Sequence, residues 1–524
     1  MHSSVSYMIE PLSDSLRKIA RGTGVALMGT VMALLLGFAT RLIIARYGSE
    51  ADYGIYSLAI VVMTFATVLV SLGLPDGVAR YIAYFRGKNE TAKVREITSV
   101  SLQLSVVISI IFGLALFLSA GYIASNIFHT PGLELALKAF AIGLPFLTVT
   151  NILVSVFRGF DRMEPQAYVQ YVLFNVLFLL LVSILFMLHL PFENIFYAYA
   201  IALFLTFLAM LIYTIKKLPQ SITLASSQSN AAVRKELIIF SWPLLVTAIL
   251  ATVILWLDTL LLGYFKTPEA VGLYNAASPL AKFVADPLAL MLLIYTPVAT
   301  GLYSKNLMVE LRRSYVISTK WIVSVTLPFF LVLCLFPEAV LNIFFGSAYM
   351  SAAPALRILS IGFIINNLFG PNQSILLALG QSRFIMWAAL ATAITSVILN
   401  VVLIPPFSIV GAAIAMAISI NVVKTIIAIK VYSSCHAQPL SKNLLKPVVA
   451  SVILALLFKF AAINFVTINW WNLILLFILY YAIYGIAVIF TRSFDREDIA
   501  LLLEIEKISG VNAARLKRVL SRFI

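Results

Sequence analysis

The sequence predicts an all-α polytopic membrane protein of about fourteen transmembrane helices, laid out as two parallel six-helix lobes followed by two extra helices. Three observations predict it. Of the 524 residues, 62% are apolar and only 11% charged, whereas a soluble domain runs at about 45–50% and about 25%. Lipid must therefore solvate most of this chain. The apolar runs are long enough to span a bilayer as helices (about 20 residues each), not the alternating ten-residue segments of a barrel, and no other backbone is satisfied in lipid. Finally, the Lys and Arg residues are sorted by side.

The apolar spans fall at about 22–45, 53–74, 97–123, 135–157, 166–189, 194–215, 237–264, 272–300, 321–344, 353–379, 384–404, 409–429, 447–466 and 470–491. Of 37 Lys and Arg, 29 lie in the N-terminal segment, the loops after even-numbered spans and the tail. Only Arg46 and Lys266 lie in loops after odd-numbered spans. Positive charge stays on the cytoplasmic side, so both termini are read as cytoplasmic, in the cytoplasmic membrane. The net charge of +15 thus orients the chain in its membrane and does not point to nucleic acid. The start, MHSSVSYMIEPLSDSLRKIARG, has no apolar core with a cleavage site, so no cleaved signal peptide is expected. Cys334 and Cys435 are far apart and in different settings, which offers neither a disulfide framework nor a metal site.

An internal repeat divides the chain. Glu50-Ala51-Asp52-Tyr53-Gly54-Ile55-Tyr56 returns as Glu269-Ala270-Val271-Gly272-Leu273-Tyr274. Asn126-Ile127-Phe128 returns as Asn342-Ile343-Phe344, and LKAFAIG (137–143) as LRILSIG (356–362). Asn151, Gly159 and Arg162 share their spacing with Asn372, Gly380 and Arg383. The offsets stay between 216 and 221 residues, and four matches in order exclude coincidence. Six spans precede the second copy, so both copies enter the membrane in the same sense, related by an axis along the membrane normal. The expected organisation is an N-lobe at 1–216, a Ser-rich linker at 217–236, a C-lobe at 237–430, extra helices within 431–491 and a cytoplasmic tail at 492–524. In the tail, Leu516, Val519, Leu520 and Phe523 alternate with Arg515, Lys517, Arg518 and Arg522, as in an amphipathic helix on an anionic leaflet. Docking of cytoplasmic glycosyltransferases there is a reading that no other feature supports. Nothing calls for an oligomer, and a monomer is expected.

Parallel repeats of this kind belong mostly to transporters, with a substrate cavity near the midplane between the bundles. Several segments carry a more specific resemblance: GFATRLIIARYGSEADYGIYSLA (37–59), LGLPDGVARYIAYFRG (72–87), FRGFDRM (157–163), NIFFGSAYMSAAPALRIL (342–359) and LALGQSRF (377–384). With the two extra spans after a 6 + 6 core, the chain resembles the polysaccharide-transport branch of the multidrug/oligosaccharidyl-lipid/polysaccharide exporter superfamily, over nearly its whole length. The resemblance implies an O-antigen-flippase-like protein that moves a polyprenyl-pyrophosphate-linked oligosaccharide, with a fold shared by lipid II flippases.

The charges inside the spans bear on that reading independently. A mid-membrane charge costs about 2.5–3.5 kcal/mol on insertion scales. Six bases (Arg41, Lys138, Lys282, Arg357, Lys424, Lys459) stand against two acids, Asp258 and Asp286. Arg41, Lys138, Arg357 and Lys424 lie near span ends, where snorkelling to water is the alternative to function. Lys138 and Arg357 occupy the same place in the two copies, and Arg41 corresponds to Asp258, an arrangement that also suits a gating salt bridge. Lys282 and Asp286 lie mid-span, paired at i and i+4, in a span that also holds Pro279, Pro287 and Pro297. The resemblance adds that flippases of this superfamily carry a base shortly before a proline of the eighth helix; here Lys282 precedes Pro287 by five. Substrate binding is therefore assigned to Arg41, Lys138, Lys282 and Arg357, and ion coupling or gating to Asp258 and Asp286, with H⁺ or Na⁺ as the coupling ion and no cofactor. The partners expected are an anionic lipid-linked oligosaccharide and membrane lipids, the lipid tail lying in a groove near the last two helices. An exporter of organic cations would need an acidic interior instead. A membrane glycosyltransferase or polymerase would need large external loops, and no nucleophile–base, zinc or phosphate-loop pattern is present.

Overall fold

The computed structural model describes residue 24 and residues 28–218, 231–440, 442–465 and 470–490. The amphipathic tail, most of the Ser-rich linker and the polar N-terminal stretch lie outside the described residues. The described chain is helical throughout: α1 (Met28–Tyr47), α2 (Glu50–Ser71), α3 (Leu74–Gly87), α4 (Thr91–Tyr122), α5 (Leu133–Gly159), α6 (Phe174–Met187), α7 (Asn194–Lys217), α8 (Ala231–Phe265), α9 (Pro268–Ser304), α10 (Met308–Leu335), α11 (Pro337–Phe344), α12 (Ala353–Leu368), α13 (Asn372–Ala378), α14 (Ser382–Cys435), α15 (Lys442–Phe465) and α16 (Trp470–Phe490).

Among the described residues, 12 helical stretches are long and apolar enough to cross a membrane, and a shorter one lies at Leu475–Val488. One of the 12, α14, has 54 residues, about 80 Å at 1.5 Å per residue against a hydrocarbon core of about 30 Å. It must therefore cross twice. Pro405 and Pro406 withhold two backbone donors, Ser408 leaves helical geometry (φ 50°, ψ −128°), and Gly411 packs onto the Leu403 carbonyl, where a Cβ would collide. With α14 counted twice and α16 included, the fourteen expected passes are present.

The chain falls into two compact units, Met1–Gly272 and Leu273–Ile524. The division by compactness thus lies beyond α8, about 40 residues after the Ser-rich linker. In the first unit α5 is the axis, packing against α2, α3, α4 and α7. Accordingly 67% of its most apolar stretch is buried, against 17% for α4, which faces lipid. Helix α2 starts on a capping box: Ser49 Oγ accepts from the Asp52 N–H (3.2 Å) and Asp52 Oδ2 accepts from the Ser49 N–H (3.0 Å). It ends where Leu72 and Gly73 turn left-handed (φ 46° and 69°), with Gly73 pressed on the Ser241 carbonyl of α8. The same need for a bare Cα recurs at the start of α2. A Cβ on Gly54 would meet the Pro268 carbonyl and come 3.0 Å from the Gly272 nitrogen; one on Gly272 would meet the Glu50 carbonyl and come 3.1 Å from the Gly54 nitrogen. Those glycines are the repeated glycines of the first sequence anchor.

At the basic end of the first unit, the α3 segment and the FRGFDRM segment exchange ion pairs. Arg158 Nη2 lies 3.0 Å from Asp76 Oδ1, and Arg86 pairs with Asp161. Arg80 stacks on Phe240 of α8, 4.1 Å from the ring centre.

In the second unit α12 packs on α10 and α14, α10 also on α15, and α15 on α16. Tyr481 and Tyr484 of α16 donate to the Val325 and Ser324 carbonyls of α10 (2.9 and 3.1 Å), which holds the extra helices onto this unit.

Candidate functional site

The expected site residues divide between the units: Arg41, Lys138 and Asp258 in the first, and Lys282, Asp286 and Arg357 in the second. Arg41 of α1 is half-buried, its guanidinium within hydrogen-bonding reach of the Tyr53 hydroxyl and close to that of Tyr56. Those two rings open an aromatic cluster. Tyr56 stacks on Phe178 (6.3 Å between centres), which meets Tyr199 edge-on at 5.2 Å. Arg41 thus stands at the edge of that cluster with two phenols beside it. Asp258 of α8 is 6% exposed, and its Oδ1 accepts from the Thr259 N–H at 2.9 Å.

Lys138 and Arg357, at equivalent places in the repeat, each hold a carboxylate. Lys138 Nζ lies 2.6 Å from Glu134 Oε1 on the same helix, one turn away. Arg357 reaches back to α11: Nη2 lies 2.8 and 3.1 Å from the two Glu338 oxygens, and Nε donates to the Cys334 carbonyl at 3.2 Å. All four side chains are between 37 and 44% exposed, and neither cation is bare. The count of six bases against two acids left out Glu134, one residue outside its span, and missed Glu338, which lies inside the ninth span (321–344) and makes a third acid.

Lys282 and Asp286 lie one helical turn apart on α9, both half-buried, and the lysine charge acts directly on the carboxylate. Pro279, Pro287 and Pro297 lie inside the same continuous helix, and each withholds a backbone donor from it. In the turn before Pro287, fully buried Asn367 of α12 donates its side-chain amide to the Val284 carbonyl at 2.6 Å, while its own Oδ1 finds no partner among the described residues. A base, an acid and an amide thus lie together on a stretch of helix that prolines leave short of backbone donors.

Three features escaped the reading of the sequence. Lys320, assigned to a loop, is 4% exposed inside α10. The apolar run 353–379 holds two helices, because Gly370 (φ 56°) and Pro371 break it. Beside that break, Asn372 donates to the Lys424 carbonyl (3.1 Å), and the Lys424 ammonium donates back to Asn372 Oδ1 (3.3 Å). Both cysteines are free thiols. Among the described residues no group of three or more His, Cys, Asp and Glu could hold a metal ion.

Comparison with known proteins places this geometry in context. The family profile described as "Polysaccharide biosynthesis protein" matches residues 19–298, and the MatE profile matches residues 243–402. The uncharacterized membrane protein MJ1068 of Methanocaldococcus jannaschii is 23% identical over 414 residues, 76% of this chain and 80% of that protein. The probable low-salt glycan biosynthesis flippase Agl15 of Haloferax volcanii is 29% identical over 174 residues, 32% of this chain and 35% of that protein. Among solved structures, the lipid II flippase MurJ in an inward closed conformation superposes with a TM-score of 0.68 at 15% identity, covering 89% of this chain and 98% of that one.

Proposed function

The chain belongs to the polysaccharide biosynthesis protein family, and on that premise we propose that it is a flippase for a lipid-linked oligosaccharide, the lipid anchor being a polyprenyl diphosphate. It moves its substrate across the membrane without transforming it. Residues 37–59, 72–87 and 157–163, which carry the resemblance, lie inside the matched region, and the MurJ fold spans nearly the whole chain. The observation that carries the reading is Lys282, a base in the middle of a membrane-spanning helix that contains three prolines.

The mechanism is alternating access of a cationic cavity in which Lys282, Arg41, Lys138 and Arg357 meet the diphosphate through charge-assisted hydrogen bonds. Binding at Lys138 and Arg357 displaces Glu134 and Glu338, so an empty cavity keeps its cations satisfied and a loaded one exchanges carboxylate for phosphate. Asp286 beside Lys282, and Asp258, take the coupling role, with H⁺ or Na⁺ as the ion. The protein works as a monomer in the cytoplasmic membrane with both termini cytoplasmic.

In vesicles loaded with a defined lipid-linked oligosaccharide, Lys282→Ala abolishes flipping while insertion stays normal, since the chain sheds a costly charge. Lys282→Arg retains part of the rate, because charge survives and geometry changes. Wild-type flipping by Lys282→Ala would refute the mechanism. The MatE match supports a second reading, an exporter of organic ions; uptake of a lipophilic cation by the same vesicles, with no flipping, would establish it instead.

A further inference from the structure

The turn of α9 that carries Lys282 and Asp286 is joined to the rest of its helix by fewer bonds than an ordinary turn. Pro279 and Pro287 stand on either side of it. A proline has no N–H, so the carbonyls four residues earlier, those of Asn275 and Phe283, lose their helical donors. Beyond the second proline, hydroxyl contacts hold α9 to its neighbours: Tyr295 with Ser314 of α10 (3.1 Å) and Thr296 with Ser374 of α13 (2.7 Å).

The turn itself is held from behind. Lys282 and Asp286 share a half-buried face, whereas Val284, midway between them, is fully buried and projects to the opposite side of the helix. There Asn367 of α12 donates its side-chain amide to the Val284 carbonyl at 2.6 Å. The carbonyl does not need this bond. Four residues after Val284 stands Leu288, which has an N–H to give. Nor does the bond satisfy the asparagine. A carbonyl can only accept, so the atom facing it must be the amide nitrogen. Oδ1 is then left without a partner among the described residues, in a side chain that is 0% exposed. A fully buried amide that uses only its donor is less stable there than an apolar side chain of the same size, such as Leu. Packing alone therefore does not explain Asn367. What it supplies is a fixed point for a turn that prolines have loosened. The anchor is sound: α12 lies against α10 and α14, and Asn421 of α14 donates to its Gly362 carbonyl at 2.8 Å.

We propose that Asn367 is a positioning residue, which through the Val284 carbonyl holds Lys282 at the depth and angle at which it meets the diphosphate. The inference rests on the flippase reading for the role of Lys282, and it gives Asn367 no contact with substrate.

The test measures binding of geranylgeranyl diphosphate to the full-length protein in nanodiscs, with empty nanodiscs as the blank, beside the unfolding temperature of each variant. Lys282→Ala should weaken binding about thirtyfold, the loss of a charge-assisted contact. Asn367→Leu should weaken it about tenfold, yet unfold at no lower temperature than the wild type, because it removes a buried unpaired oxygen. In the Lys282→Ala background, Asn367→Leu should change binding less than about twofold, since no ammonium is left to position. A side chain that merely packs gives the opposite pattern, a lower unfolding temperature and the same fold-loss in both backgrounds. Asn367→Ala, which cannot clash, repeats the comparison whatever the fit of Leu and should show the same dependence on Lys282. Equal fold-losses with and without Lys282, or wild-type affinity in both Asn367 variants, would overturn the proposal. Binding requires no transport. If Lys282→Ala binds as tightly as the wild type, the flippase reading of Lys282 falls and the positioning role falls with it. If binding depends on Lys282 but not on Asn367, the positioning role alone falls.

Discussion

Helix α5 and the pair α12–α13 are the same stretch of the repeat, and they have become different objects. Lys138 matches Arg357, and Asn151 matches Asn372. Yet α5 runs unbroken for 27 residues, while its counterpart stops at Leu368 and restarts at Asn372. In α5 the charged pair is local, Lys138 with Glu134 one turn away; in the second unit Arg357 pairs across elements with Glu338. Asn151 accepts from Gln170 at 2.7 Å, whereas Asn372 exchanges bonds with Lys424 in a membrane-spanning helix. The interruption frees backbone groups, and the second unit provides partners for them: the Tyr315 hydroxyl donates to the Phe369 carbonyl at 2.7 Å. The first copy has stayed a packing axis. The second has exchanged helical continuity for polar groups in the membrane, the usual ground for substrate and ion sites.

The comparison predicts unequal costs for matched substitutions. The largest difference is at the break itself. Gly370 has φ 56°, and its missing Cβ faces the Thr319 side chain. Gly370→Ala should cost about 2 kcal/mol of stability, seen as a lowered inactivation temperature in detergent, against about 1 kcal/mol for Val149→Ala at the matching place in α5. Equal losses would mean that the break is not under constraint.

The asparagines come next. Asn372→Ala removes two hydrogen bonds at a fully buried side chain and strips the Lys424 ammonium of its partner, for about 2 kcal/mol; Asn151→Ala should cost about 1 kcal/mol. If Asn372→Ala is the milder change, the lysine has another partner and the asymmetry is overstated. The smallest effect is at the glutamates. Glu338→Gln should lower stability by about 0.5–1 kcal/mol and Glu134→Gln by about 0.3 kcal/mol, since half-exposed pairs contribute little and the i,i+4 pair is weaker still. Both differences should shrink in high salt, and a salt-independent loss would show that packing, not charge, is at stake.

Much of this architecture could be read from the sequence, because lipid imposes a length on apolar runs and a sidedness on bases. Even the double pass through 384–429 was legible, since two runs meet at Pro405-Pro406. What escaped lay at span edges. The fourth span was set at 135–157, one residue past Glu134, so the partner of Lys138 fell outside the count of membrane charges. The ninth was set at 321–344, one residue past Lys320. Hydropathy marks where a helix faces lipid, and a base buried against neighbouring helices looks the same as a base in a loop. Gly370-Pro371 is a turn signal in its own right, but the apolar residues on both sides carried one span across it. The Arg357–Glu338 pair depended on how α11 folds back, which no local pattern encodes. Of the candidate site, the positions of the charges and the Lys282–Asp286 pair were visible, and the partners of Lys138 and Arg357 were not.

The crossing of Gly54 with Gly272 limits what either helix start can carry. Each bare Cα admits the backbone at the start of the other helix, and the two collisions that side chains would cause are nearly the same, 3.0 and 3.1 Å to the opposing nitrogens. A contact in which residue i meets j and j meets i is the kind made by two identical chains about a two-fold axis. Neither helix start can therefore accept a side chain at its glycine without moving the other.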